Sequence, residues 1–213
     1  GGCKSMKRTI ITIGRQYGSG GRAVGRLLAE QMGIPFYDKE LIELAAKEGG
    51  MSAEAFDKVD EKPTNSLLYT LATGSAMMGG LRYAPQAELP LNDKLFILSS
   101  KVIRDLAKQG SCVIIGRCAD YILREDKALC SVFVHAGMLK RIDRITRLYD
   151  VPLEKAESVI NRIDKQRSSY YGYYTGRGWM EMEHYQLCVD SGLLGVEGAA
   201  AVISAFVKIK QGE

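Results

Sequence analysis

The run Thr9–Glu30, TIITIGRQYGSGGRAVGRLLAE, restricts what this chain can fold into more than any other stretch. Ile10, Ile11 and Ile13 are β-branched neighbours, as expected of a strand buried on both faces. Gly14, Gly18, Gly20 and Gly21 then break the pattern, and Val24, Leu27 and Leu28 resume it at helical spacing. A glycine turn between a buried strand and a helix start directs backbone N–H groups and the positive end of a helix dipole at one point. Glycine lets the main chain approach phosphate oxygens closely, so the turn reads as a phosphate cradle. The spacing departs from G-x-x-x-x-G-K-[ST], in which Lys meets the β/γ-phosphates and the hydroxyl binds Mg²⁺. Gly21 or Arg22, and then Ala23, stand in those two places. Ser19 offers a hydroxyl inside the loop, Arg22 a cation, and Arg15 a second cation. A glycine-rich turn with no ligand would have the same sequence.

Three more apolar runs alternate with amphipathic ones, which implies an α/β fold with a parallel sheet. Ile34–Tyr37 reads as a short edge strand, where Pro35 is tolerable. Asp38 reads as the cap of a helix over Lys39–Lys47, with a second short helix from Ser52 to Val59. Glu61–Leu91 is irregular and carries a GSAMMGG run; it reads as a mobile loop, or as a substrate lobe containing Arg82 and Tyr83. Asn92 is expected to cap a helix ending near Gln109. Cys112–Ile115 is a second buried strand that runs straight into Gly116-Arg117, which places a guanidinium at the carboxyl edge of the sheet, where such folds bind ligands. Arg117 reads equally as an ordinary surface arginine.

Cys130–His135 is a third strand, and Met138–Tyr149 a helix bearing Lys140, Arg141, Arg144 and Arg147. Such a run usually faces solvent, but it follows directly on a strand, so one or two of its arginines are placed to look into the same cleft. Pro152 starts a helix with Ala156, Val159, Ile160 and Ile163 as its apolar stripe. SSYYGYYTGRGW then reads as a flexible, sticky segment. Leu187–Asp190 is a last strand and Val196–Gln211 a closing helix.

The 213 residues, 46% of them hydrophobic and 25% charged, suit one globular domain. The net charge of +4 is too small to argue for nucleic acid and suits an anionic small substrate. Five scattered cysteines read as reduced core residues of a cytoplasmic protein. No run suggests a membrane span. His135 and His184 are isolated, so no metal site is assigned. Gly1–Ser5 reads as an added leader, with the domain spanning 6–213.

Several segments, in order, resemble the cytidylate kinase-like family of nucleoside monophosphate kinases. GRQYGSGGR resembles their phosphate loop, YDKELI the segment after their first helix, and the Gly-Arg of VIIGRCADYI the Gly-Arg that follows a strand. NRIDKQRSSYY resembles their R-x-D-x-x-R lid motif, with VDSG near the C-terminus resembling D-S-T-G. The resemblance implies a P-loop kinase core of about five parallel strands flanked by helices. It implies a monophosphate-binding insertion over 38–91, a lid over 166–180, and transfer of the ATP γ-phosphoryl to CMP or dCMP with Mg²⁺. By position, Gly14, Arg15, Gly18, Ser19, Gly20, Gly21, Arg22 and Ala23 would hold the ATP phosphates. Asp38, Arg117, Asp120 and Arg141 would face the acceptor, and Arg22, Arg162, Asp164 and Arg167 would act in catalysis. The P-loop Lys and the Mg²⁺-binding Ser/Thr are absent, and Ile115 stands where these kinases carry an acid before Gly-Arg. The Mg²⁺ ligand is therefore unassigned. A kinase of another small acceptor, or a nucleotide-binding module with weak or no catalysis, would carry many of the same residues.

Overall fold

The computed structural model describes residues 7–38 and 91–212. Five parallel strands form one sheet: β1 (Ile10–Arg15), β2 (Phe36–Tyr37), β3 (Cys112–Ile115), β4 (Leu129–His135) and β5 (Leu187–Asp190), in the order β2-β3-β1-β4-β5. β1 lies at the centre, with Ile10 opposite Cys112 on one side and Leu129 on the other. Side chains alternate across it as a pleat requires. Ile11 and Ile13 join Val24 and Leu28 of α1 (Gly21–Met32) and Ala199, Ala200, Ile203 and Val207 of α6 (Ser191–Gln211) on one face. Ile10 faces the other way, towards Val102 and Ile103 of α2 (Leu91–Gln109) and an aromatic group of Phe133, Tyr171, Trp179 and Tyr185. The five-stranded parallel α/β architecture is the one expected, and the edge position of the two-residue β2 is as the proline indicated.

Two further helices complete the carboxyl side of the sheet: α4 (Met138–Tyr149) and α5 (Leu153–Thr175), joined by a tight turn at Asp150. They pack through Ile145, Ala156 and Ile160.

Several local expectations are corrected. The first eight residues of the segment read as flexible, Ser168–Trp179, are helical and continue α5 to Thr175, where the Gly176 N–H bonds back to the Gly172 carbonyl. Burial overrides composition here. Tyr170 and Tyr171 are buried, and Tyr174 stacks on Phe96 of α2 at 4.0 Å. The aromatics therefore serve as an apolar stripe for this helix. The first ten residues of the span 166–180 are thus helix. α2 begins at Leu91, one residue before the expected cap Asn92. α6 begins at Ser191 rather than Val196, capped by Asp190 and kinked at Gly195, where φ is 71°. A short helix α3 (Ala119–Ile122) and a 3₁₀ turn (Met182–His184) went unrecognised because each is too short for periodicity. α6 also corrects the membrane expectation on one point: with a mean hydropathy of 1.7 it is long and apolar enough to cross a membrane by length and composition. Its inner stripe packs on α1 and the sheet. The helices expected over 39–47 and 52–59, the irregular stretch 61–90, and Arg82 and Tyr83 lie outside the described residues.

Candidate active site

β1 ends at Arg15, and Gln16–Gly20 turns into α1. Gly18 and Gly20 both have positive φ, 78° and 84°, which other residues adopt only with strain. Around this turn the Ser19 N–H donates to the Gln16 carbonyl at 3.3 Å and the Val24 N–H to the Gly20 carbonyl at 3.0 Å, whereas the Arg22 and Ala23 amides fall in the first helical turn, which supplies no intrahelical acceptor. Gln16 Oε1 accepts from the Ala136 N–H at 3.1 Å and ties the turn to β4. Ser19 is buried, and its hydroxyl donates to the Gln16 carbonyl at 2.8 Å and accepts from the Gly21 N–H at 3.3 Å. That hydroxyl shapes the loop from within. Ser191, at the start of α6, donates to the Ser19 carbonyl at 2.5 Å.

In front of the turn lies a cavity of about 500 Å³. Among the described residues six arginines line it (Arg15, Arg22, Arg26, Arg117, Arg144 and Arg167), and Asp38 is the only carboxylate among them on its wall. So strong a positive field in a concave, partly desolvated site favours a polyanion. Arg22 pairs with Asp38 at 2.5 Å across the mouth. Arg144, one turn along α4 from Arg141, lays its guanidinium against Gly20, where an added Cβ would fall 2.8 Å from Cζ. Arg167 donates to the Arg15 carbonyl at 3.2 Å and lies 5.7 Å from the centre of the Tyr17 ring. Tyr17 also stacks on Tyr149, ring centres 6.0 Å apart and planes at 23°, and both rings line the cavity. Burial, then Tyr149, raises the Tyr17 hydroxyl above its ordinary range, against the opposing pull of Arg167 and Arg162.

The other residues singled out in the sequence are placed differently. Arg117 reaches the cavity wall from a strained position just past β3, with φ 58°. Asp120 lies behind the wall in α3, bonded by the Tyr171 hydroxyl at 2.6 Å. Burial pushes its carboxyl above the ordinary range, while that hydroxyl, the backbone amides of Asp120 and Tyr121, and Arg177 pull it back in part. Arg141 and Asp164 are buried beneath the loop and paired with each other. Arg162 is exposed and is not part of the cavity wall. The sequence reading left Arg144, Arg26, Tyr17 and Tyr149 out of the site. Only Arg144 carried a signal, as one of the arginines in the helix that follows β4 directly.

A family model, the cytidylate kinase-like family, matches residues 10–193. The chain belongs to that family. Membership makes it a kinase-fold phosphotransferase with a nucleotide-binding P-loop. Among curated proteins none matches it in sequence. A solved structure described as an uncharacterized protein from Eubacterium ventriosum is similar over 94% of this chain and 99% of its own, at 24% identity and a TM-score of 0.69. A shikimate kinase from Bacteroides thetaiotaomicron is similar over 95% of this chain and 99% of its own, at 12% identity and a TM-score of 0.53. A gluconokinase from Sinorhizobium meliloti is similar over 95% of each chain, at 14% identity and a TM-score of 0.52. At these identities the likeness is one of fold.

P-loop kinases of this kind use ATP and Mg²⁺, and the site fits the two unequally. The glycine turn, the first-turn amides of Arg22 and Ala23, and Arg144 suit a triphosphate. Among the described residues no three His, Cys, Asp or Glu side chains converge on a metal position. Mg²⁺ keeps most of its waters and is commonly held by one or two carboxylates plus substrate phosphates. Among the described residues Asp38 is the one wall carboxylate that could join such a shell, and it is paired to Arg22.

Proposed function

We propose that this protein transfers the γ-phosphoryl of ATP to a nucleoside monophosphate, CMP or dCMP. The observation that carries the reading is the single cavity in which the glycine turn and six arginines face one another. In this reading the amides of Gly18, Gly20, Arg22 and Ala23 and the guanidinium of Arg144 hold the donor phosphates. Asp38 and Arg117, on the side of β2 and β3, hold the acceptor. Arg15 and Arg167 lie between the two and neutralise charge on the group in flight. Phosphoryl transfer asks a protein mainly for positioning and charge stabilisation, and amides with arginines supply both. Mg²⁺, bound with the triphosphate, would neutralise further phosphate charge there.

A second reading keeps the donor site but gives it a different acceptor. It is favoured by Ile115, which stands where cytidylate kinases carry an acid before Gly-Arg, and by the shikimate kinase and gluconokinase likeness in fold. A third keeps nucleotide binding with little or no catalysis, as the missing P-loop lysine allows. A coupled ADP-release assay with ATP and Mg²⁺ against CMP, dCMP, UMP, AMP, shikimate and gluconate separates the three. Turnover with CMP or dCMP well above the rest supports the first reading. Turnover with another acceptor alone supports the second. Binding of ATP without turnover on any acceptor supports the third.

A further inference from the structure

The middle of the phosphate loop is fastened by charge on both sides of one residue. The Tyr17 N–H donates to Asp164 Oδ1 at 2.8 Å, and the Tyr17 carbonyl accepts from Arg141 Nε at 2.8 Å. The same two side chains pair through Arg141 Nη2 and Asp164 Oδ2. Arg141 comes from α4 and Asp164 from α5, and both are buried. Tyr17 directly precedes Gly18, where an added Cβ would fall 2.9 Å from the Arg141 carbonyl oxygen, so the α4 backbone also abuts the loop. Ile145, Ala156 and Ile160 form an apolar base beneath the pair, with Tyr17 packed against it.

A buried ion pair is a weak source of stability. Apolar residues of similar volume are often as good or better, whereas removing one partner alone is costly. An apolar pair cannot, however, take both the N–H and the carbonyl of Tyr17. We infer that Arg141 and Asp164 are positioning residues, a brace that fixes the Gln16–Gly20 turn so that its amides converge before any ligand arrives. This rests on the kinase reading, and it gives the Asp of R-x-D-x-x-R a role that touches no substrate. Donors held in place beforehand cost no reorganisation when charge arrives. The brace also ties the loop to the α4–α5 hairpin, which carries Arg144, Tyr149 and Arg167, so loop and hairpin act as one body.

The test compares the parent with Arg141→Met/Asp164→Leu, Asp164→Leu alone and Arg141→Lys. Three quantities are read: the melting temperature, hydrogen exchange of the peptide spanning 14–24 without ligand, and affinity for inorganic tripolyphosphate by calorimetry. Asp164→Leu alone should melt well below the parent, since it strands a buried guanidinium. The double variant should melt close to the parent, yet its loop should exchange faster and bind tripolyphosphate at least about tenfold more weakly, the scale of one charge-assisted hydrogen bond. Arg141→Lys keeps a cation for Asp164 but has one nitrogen in place of the fixed fork, which cannot occupy both the Nε position at the Tyr17 carbonyl and the Nη2 position at Asp164. It should melt near the parent and still show faster loop exchange. Parental loop exchange in both the double variant and Arg141→Lys would overturn the brace and leave the pair as space-filling. If the parent binds neither ATP nor tripolyphosphate, the kinase reading fails, and the exchange measurement still decides the brace.

Discussion

Arg144 stands against Gly20, so close that one carbon added to the glycine would fall 2.8 Å from the guanidinium carbon. A cation packed against the helix end of the turn therefore comes from α4, some 120 residues away in sequence. Arg22, the cation inside the motif, faces Asp38 at 2.5 Å. Arg144→Ala is expected to weaken ATP binding by about 1.5–3 kcal/mol, the worth of a hydrogen bond to a charged group. Arg22→Ala should cost less, because that guanidinium already has a carboxylate partner. Calorimetry with a non-hydrolysable ATP analogue checks both. A larger loss for Arg22→Ala would return the donor role to the motif itself.

Gly20→Ala tests the same contact from the loop side. A φ of 84° strains any residue with a Cβ, at a cost of about 1–2 kcal/mol. The new methyl must also displace Arg144. The expected result is a modest fall in melting temperature with a disproportionate loss of ATP affinity. Unchanged affinity would mean that Arg144 is not a ligand of the donor phosphates.

These contacts divide what could be read from the sequence from what could not. β1, its glycine turn and α1 were legible because period and composition agree over Ile10–Met32. The place of Arg117 at the carboxyl edge of the sheet was legible from a Gly-Arg directly after a buried strand, while the sequence left open whether it faced a ligand or plain solvent. The role of Tyr17 was not. Its side chain meets Tyr149, and its main chain meets Arg141 and Asp164, all more than 120 residues away. Nothing local in GRQYGSGG announces them. Ser168–Thr175 was misread for the opposite reason. Tyrosine and glycine suggest a loop when counted, whereas burial of Tyr170 and Tyr171 against α2 and the sheet makes them a helix.

Asp120 supplies a pH prediction. Burial raises its carboxyl above the ordinary value of 3.8 and outweighs the Tyr171 hydroxyl, the α3 amides and Arg177. A carboxyl raised in the folded state makes that state the better proton binder. Its contribution to stability is therefore full below 3.8 and is lost as pH rises through the higher folded value. Asp120→Asn keeps an acceptor for Tyr171 and cannot ionise. Relative to this variant, the parent should lose stability as pH climbs from the ordinary carboxyl value towards neutrality. Denaturant midpoints measured on both proteins across pH check this. A parent that gains on the variant over that range would show that the hydrogen bonds, and not burial, govern the group.

The last prediction separates two arginines of one motif. Arg162 and Arg167 both belong to R-x-D-x-x-R, and by resemblance both were expected to serve the transferred group. On α5 they part company. Asp164 turns inward to Tyr17 and Arg141. Arg167, three residues further on, reaches the Arg15 carbonyl and the Tyr17 ring and lines the cavity. Arg162 is exposed on the helix and does not line the cavity, although its charge is felt at the Tyr17 hydroxyl. If transfer occurs between the loop and Arg117, Arg167 is placed to meet charge on the equatorial oxygens and Arg162 is not. Arg167→Ala should therefore lower turnover about a hundredfold or more, the scale of losing one transition-state donor. Its melting temperature should change little, because the apolar base of Ile145, Ala156 and Ile160 is untouched. Arg162→Ala should stay within a few-fold of the parent in kcat. Steady-state kinetics on both variants, with whichever acceptor the assay identifies, decide the matter. Comparable losses in the two would mean that the hairpin closes further during turnover and brings Arg162 to the group in flight. Parental turnover in Arg167→Ala would remove the arginine from the mechanism altogether.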